Sequence, residues 1–128
     1  LGIRTPSQAY RDPLRGGLYE NLLILEILKI YLNAGRRPEL FFYRDTHGNE
    51  VDIVLKDGRN LIPIEIKSAA TFTPDFLKGI ERFRKVAGNR CTKGCVLYNG
   101  QEQYTLKETR VFNPIIHSGL DTIANNFS

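Results

Sequence analysis

Four residues of this sequence carry chemistry at spacings that could bring them together: Glu20, Asp52, Glu65 and Lys67. Carboxylate oxygens converging with few His or Cys partners suit a hard divalent cation, Mg²⁺ or Mn²⁺, rather than zinc. Such a cation beside a lysine is equipped to hydrolyse a phosphodiester. The metal lowers the pKa of water and binds the scissile phosphate, while Lys67 orients the attacking water or offsets developing charge. A second group is basic. Between residues 78 and 93, Lys78, Arg82, Arg84, Lys85, Arg90 and Lys93 stand against Glu81 alone. A phosphate backbone is one natural partner for that patch, and a solvated face that keeps the protein soluble is the other reading.

The elements that must position these residues follow from the hydrophobic period. From Gly17, the residues Leu18, Tyr19, Leu22, Leu23, Ile27, Leu28, Ile30 and Tyr31 predict a helix ending near Asn33 and Gly35. On a wheel of 100° per residue, Ile24, Ile27 and Tyr31 fall within about 40° of Glu20, and Glu26, Lys29 and Asn33 lie opposite. A carboxylate on an apolar stripe must be paired, metal-bound or left wet at the helix start, where it complements the dipole.

Leu40 to Tyr43, the turn cluster Asp45 to Asn49, and the alternating Val51, Ile53 and Leu55 predict a β-hairpin. A second turn centred on Asp57-Gly58 leads into Ile62, Ile64 and Ile66. Strand alternation then puts Val51, Ile53 and Leu55 on one face with the three isoleucines, and Asp52, Glu65 and Lys67 together on the other. Depending on the turn, Asp52 lies diagonal to Glu65 or directly opposite it. Like charges side by side destabilise a sheet, so the pair calls for Lys67 or a metal unless the whole face is solvated.

Thr73-Pro74-Asp75 predicts the start of a second helix, with a capping hydroxyl, whose apolar stripe is Phe76, Ile80, Phe83 and Ala87 and whose other face repeats Lys78, Arg82 and Lys85. Gly94 to Tyr98 reads as a buried strand parallel to the Ile62 strand. Tyr104 to Leu106 and Arg110 to Phe112 read as edge strands, and Pro114 to Ala124 as a short closing helix. The core order is helix, three strands, helix, strand, an α/β fold.

With 128 residues, 41% hydrophobic and 25% charged, the chain is sized for one domain and excludes disorder, collagen and coiled coil. The expected organisation is a lead-in over residues 1–16 and a single domain over 17–128. No apolar run approaches the roughly 20 residues of a membrane span and no signal peptide opens the chain, so a cytoplasmic protein with no membrane partner is expected. The chain starts at Leu1 and contains no Met, which reads as part of something longer. Net charge is +4. Cys91 and Cys95 lack the pattern of a disulfide framework or zinc site and read as packed, reduced thiols.

Gly17-Leu18-Tyr19-Glu20, Glu50-Val51-Asp52 and Ile64-Glu65-Ile66-Lys67, in an αβββαβ order, resemble the PD-(D/E)XK nuclease superfamily, which includes archaeal Holliday junction resolvases and many restriction enzymes. With Asn21, Phe42-Tyr43-Arg44-Asp45, Pro63 to Ser68 and Lys78-Gly79 added, roughly residues 14 to 120 are similar to the C-terminal domain of unknown function found on prokaryotic AAA-type ATPases. The resemblance implies a restriction-endonuclease-like fold, a mixed central sheet flanked by helices. It implies Glu20, Asp52 and Glu65 as metal ligands and Lys67 as catalytic, although Val51 stands where the superfamily often has Pro. It also implies nucleic acid, DNA first, as partner, an upstream ATPase module in the same polypeptide, and a homodimer as one possible assembly. This chain carries no phosphate loop of its own. The alternative is a non-catalytic regulatory or interaction module of that ATPase, its acids forming an internal salt-bridge cluster.

Of the other polar residues, Arg44 reads first as an ion-pair partner of Asp45 or Glu50 and second as a phosphate contact, and Glu50 as an acid supporting the site. His47 and His117 read as surface residues. Tyr19, Tyr31, Phe41 and Phe42 read as core rather than as stacking platforms.

Overall fold

A computed structural model describes residues 13–117, with side chains from residue 17. Helix α1 (Pro13–Asn33) leads into strands β1 (Glu39–Arg44), β2 (Glu50–Asp57) and β3 (Asn60–Lys67). A 3₁₀ turn (Pro74–Leu77) and helix α2 (Lys78–Ala87) cross over to β4 (Gly94–Tyr98), which is followed by β5 (Tyr104–Leu106) and β6 (Thr109–Phe112). The fold is α/β, as expected. Among the described residues no helix is long and apolar enough to cross a membrane.

The α1 stripe forms as its spacing dictates: Leu23, Ile27 and Tyr31 are buried and Ile24 packs beside them. The helix stops where Gly35 turns left-handed at φ 75° and the Arg36 amide donates back to the Tyr31 carbonyl at 2.9 Å. The Arg36 guanidinium then covers the Tyr31 ring at 4.8 Å and pairs with Asp57, tying the end of α1 to the β2–β3 turn. At its other end the Tyr19 hydroxyl donates to the Tyr98 carbonyl at 3.5 Å. The described part of the helix reaches back to Pro13, inside the segment expected as a lead-in.

The sheet order is β1-β2-β3-β4-β6-β5, with β1, β2 and β3 antiparallel and β4 parallel to both β3 and β6. The expected parallel crossover through α2 is present. The two last strands differ from expectation: β6 lies inside the sheet between β4 and β5, and of the two β5 is the edge among the described residues. A tight turn at Lys107 and Glu108, both with positive φ, folds β5 back on β6. Pro114 to Ile116 form a turn rather than the start of a helix, and the rest of that expected helix lies outside the described residues.

Both faces of β3 are covered. Ile62, Ile64 and Ile66 join Ile53, Leu55, Cys95, Leu97 and Phe112 against α1, while Val96, Tyr98 and Val111 pack with Leu77 and Ile80 on the α2 side. Each fully buried aliphatic side chain contributes about 1.5–3 kcal/mol, so both helices are held by hydrophobic area rather than by caps. Consistent with that, Thr73 makes no side-chain cap bond, and the predicted second helix opens as a 3₁₀ turn at Pro74. Cys91 and Cys95 are buried free thiols.

Candidate active site

The register of the second hairpin decides how the acids meet. Asp57 pairs with Asn60, Leu55 with Ile62 and Ile53 with Ile64, so the paired register ends one residue short of Asp52 and Glu65. There the backbone ladder gives way to a side chain: the Ile66 amide donates to Asp52 Oδ2 at 2.8 Å. The carboxyl groups of Glu65 and Asp52 are near enough that the charge of Asp52 raises the pKa of Glu65.

Alternation from the Ile53–Ile64 pair puts Asp52 on the face of Glu65, but it does not explain Val51. Phe41 pairs with Val54 and Tyr43 with Val51, so β2 runs through three residues where β1 runs through two. This β-bulge inserts one residue and re-aims the side chains around it. Val51 therefore does not share a face with Ile53 and Leu55; it joins Val54, Phe83 and Cys91 on the α2 side. Asp52 sits within the irregular stretch, within electrostatic reach of both the helix acid and the strand acid.

Glu65 is the most constrained of the four, with its residue only 5% exposed. Burial, reinforced by the charge of Asp52, pushes its carboxyl up to about 8, against a partial opposing pull from Lys67. Lys67 Nζ stands 3.5 Å from Glu65 Oε2 and 5.7 Å from the centre of the Phe76 ring, with 38% of its side chain exposed. Glu20 faces the cluster from α1, its carboxyl raised by burial first and by Asp52 second, and lowered by Lys67. Asp52 and Lys67 therefore lie within electrostatic reach of both Glu20 and Glu65, the four residues that the sequence singled out. Among the described residues no three Asp, Glu, His or Cys side chains stand close enough to hold a metal ion as they are placed. The chemistry of the set nonetheless fits a hard cation: all donors are carboxylate oxygens, and Glu20 and Glu65 are each raised by burial first and by the charge of Asp52 second, a repulsion that a divalent ion would relieve.

Sequence reasoning gave Gly79 no role at this site. A Cβ there would stand 2.6 Å from the Glu50 carbonyl oxygen and 3.1 Å from Glu65 Oε1, so only glycine lets α2 close over the acids. The signal was the Lys78-Gly79 pair at the start of a helix, where glycine is otherwise disfavoured.

The predicted basic contacts divide. Lys78, Arg82 and Lys85 are exposed on one face of α2, Lys78 within 3.0 Å of Asp75 and Arg82 bonded to Asn49 of the β1–β2 turn. Arg44 pairs with Glu50, one of the two partners expected. Arg84 and Arg90 are not part of the free patch, because they hold the carbonyls of Lys107 and Arg59.

Beside the acids lies a hollow of about 260 Å³ lined by Glu20, Phe42, Arg44, Glu50 and Asp52, among others. Phe42 was expected in the core and is instead 80% exposed, and Phe41 is 38% exposed, on a strand that is outermost in the sheet among the described residues. Tyr19 and Tyr31 are inside as expected. His47 is exposed in its turn, which Asp45 builds by accepting from the His47 and Asn49 amides at 2.9 Å. His117 is not a free surface residue: its Nδ1 accepts from the Asn113 amide and its Nε2 lies 3.0 Å from the Gln101 carbonyl.

Comparison with known proteins adds one finding. No curated protein matches the chain. The family described as a domain of unknown function, DUF4143, matches residues 15–116, a span holding Glu20, Asp52, Glu65 and Lys67 together with every strand of the sheet, and the chain belongs to that family.

Proposed function

We propose that this domain is a divalent-metal-dependent nuclease-like module that binds nucleic acid and hydrolyses its phosphodiester backbone, working beside an ATPase module in a longer polypeptide. The observation that carries the reading is the meeting of Asp52 and Glu65 across two strands, with Lys67 on Glu65 and Glu20 facing them from α1. Repelling carboxyls held together by a fold are a functional signature, since a purely structural cluster gains nothing from the repulsion. Asp52, Glu65 and Glu20 would hold Mg²⁺ or Mn²⁺, which when bound supplies Lewis acidity toward the phosphate and toward water. The Ile66 amide fixes the Asp52 carboxylate, and the Gly79 gap admits α2 against Glu65. Lys67, anchored at Glu65 but partly exposed, orients the attacking water and offsets charge on the phosphate. Lys78, Arg82 and Lys85 contact the backbone from α2, and Arg44 contacts it from the hairpin.

The test is calorimetric titration of Mn²⁺ into the wild type and into Asp52→Asn, Glu65→Gln. Expected is binding that the double variant loses, followed by Mn²⁺-dependent cleavage of DNA that Lys67→Ala abolishes. Absence of binding up to millimolar Mn²⁺, with and without DNA, overturns the reading.

One observation favours a second reading. Asp52 already accepts from the Ile66 amide, and Lys67 already faces Glu65, so the cluster has internal compensation without a metal. On that reading the domain is a non-catalytic regulatory or interaction module of the ATPase, and its four site residues serve to join α1, β2 and β3. The same titration separates the two.

A further inference from the structure

The feature that the proposed chemistry does not use is Phe42. It is the one β1 residue between the pairs Phe41–Val54 and Tyr43–Val51, so it stands across from Asp52 and Ile53 in the bulge. Alternation gives it the face of Leu40, which packs against the α1-side core, but Phe42 itself is 80% exposed. Its ring lines the same hollow as Glu20 and Asp52. Tyr43, pointing the other way, is held edge-on to Phe83 at 5.1 Å, so the strand beneath Phe42 is anchored. A large apolar ring left open on an anchored strand, beside carboxylates, offers a flat surface at a polar site.

Cations flank that surface. Arg44, on the same face of β1, is 75% exposed and directs Nε and Nη2 to a single oxygen of Glu50, which leaves its remaining N–H groups for an outside acceptor. Arg82 reaches from α2 to Asn49 in the turn that precedes Glu50, so the basic face of α2 continues to the hairpin. An open aromatic ring beside an exposed guanidinium, with further cations reached round the hairpin, is an arrangement that binds a strand whose bases are unstacked, because the ring takes a base face while the cations take phosphates. In an intact duplex both faces of each internal base are already occupied by stacking.

Building on the nuclease-like reading, we infer that Phe42 is a stacking platform for an unpaired nucleobase, and that the nucleic acid this site takes is single-stranded at the point of contact. Phe42 places the strand beside Asp52 and acts on binding rather than on bond cleavage.

The sequence supplies a clean probe, since it contains no Trp. Phe42→Trp puts a single indole at the site, and its emission reports stacking directly. A twelve-residue oligothymidylate and a blunt twelve-base-pair duplex are titrated into this variant in EDTA and again in Ca²⁺. In parallel, wild type and Phe42→Ala are compared by anisotropy on the same two DNAs. Expected are strong quenching by the single strand and little by the duplex, with Phe42→Ala weakening single-strand binding about tenfold and duplex binding less than twofold. Equal effects on both DNAs, intact single-strand binding without quenching, or no binding of either DNA would each overturn the inference. Its failure is distinct from that of the metal reading. Mn²⁺ binding and cleavage with an indifferent Phe42 remove only the stacking role, whereas single-strand quenching without any Mn²⁺ binding removes only the metal chemistry.

Discussion

The α2-side layer holds a charged group beside each end of α2, and the two are solved in opposite ways. Toward the end of the helix, half-buried Arg84 finds neutral acceptors, the Lys107 carbonyl at 2.5 Å and Thr109 Oγ1 at 3.1 Å, so two guanidinium nitrogens are satisfied without another charge. At the start, Glu65 is buried against Asp52, within electrostatic reach of a network that includes Glu20, and has one partly exposed lysine as counter-charge. The first arrangement is close to what packing alone would select: two of the three guanidinium nitrogens exchange water for neutral acceptors, and only Nε is buried without a partner. The second holds like charges together at a cost to the fold, the pattern of groups kept for what they bind.

The sharpest way to break this contrast is Glu65→Gln followed across pH by urea denaturation. Because the folded carboxyl is raised from 4.5 to about 8, the stability it contributes is present below pH 4.5 and is lost as pH rises through 8. Wild-type stability should therefore fall by roughly 3–5 kcal/mol between pH 4.5 and 9, a slope the variant lacks. At pH 9 the variant should be the more stable of the two by a similar amount, and saturating Mn²⁺ should narrow the gap. A wild type that gains stability over this range would show that Glu65 is settled in its site as Arg84 is.

Gly79→Ala comes next. Its Cβ meets backbone at 2.6 Å, which a rotamer change cannot relieve, so α2 must back away from the acids. The expected loss is about 1–3 kcal/mol, with weakened Mn²⁺ binding as the accompanying sign that α2 closes the site. Arg84→Met should cost about 1–2 kcal/mol, the value of its hydrogen bonds, while leaving Mn²⁺ and DNA binding at wild-type levels. Smallest in stability is Lys67→Met: an ion pair with a partly exposed partner is worth less than about 1 kcal/mol, so the melting temperature should barely move while cleavage disappears. If Lys67→Met destabilises the fold more than Arg84→Met does, the lysine is structural and the contrast collapses.

Much of this was legible in the residues. The run from Leu61 to Lys67 alternates so regularly that the faces of Ile62, Ile64 and Ile66 and of Glu65 and Lys67 could be assigned without coordinates, because strand geometry has a period of two and one face had to be buried. Glu20 could be placed on the core side of α1 for the same kind of reason, at a period of 3.6. Val51 defeated that logic because a bulge is a pairing decision between two strands, and nothing in Glu50-Val51-Asp52 taken alone announces the extra residue. Phe42 defeated it too, since an aromatic in a strand reads as core until the strand is known to lie at the edge. His117 and Arg84 were misread because their partners, Gln101, Asn113, Lys107 and Thr109, come close only through the order β4-β6-β5.

What the sequence by itself determined is everything that depends on neighbours along the chain: the α1 stripe, the two hairpins, the parallel crossover, and the identity of the three acids and the lysine. What only the tertiary structure decided is where separate segments are pressed together. The bulge that turns Val51 to the α2 side, the closeness of α2 that Gly79 permits, the exposure of Phe42 on an outer strand and the burial that raises Glu65 all belong to this second kind. The physical reason is common to all four. Local periodicity sets which way a side chain points, but desolvation and cross-strand register are properties of surfaces that meet only after the chain has folded.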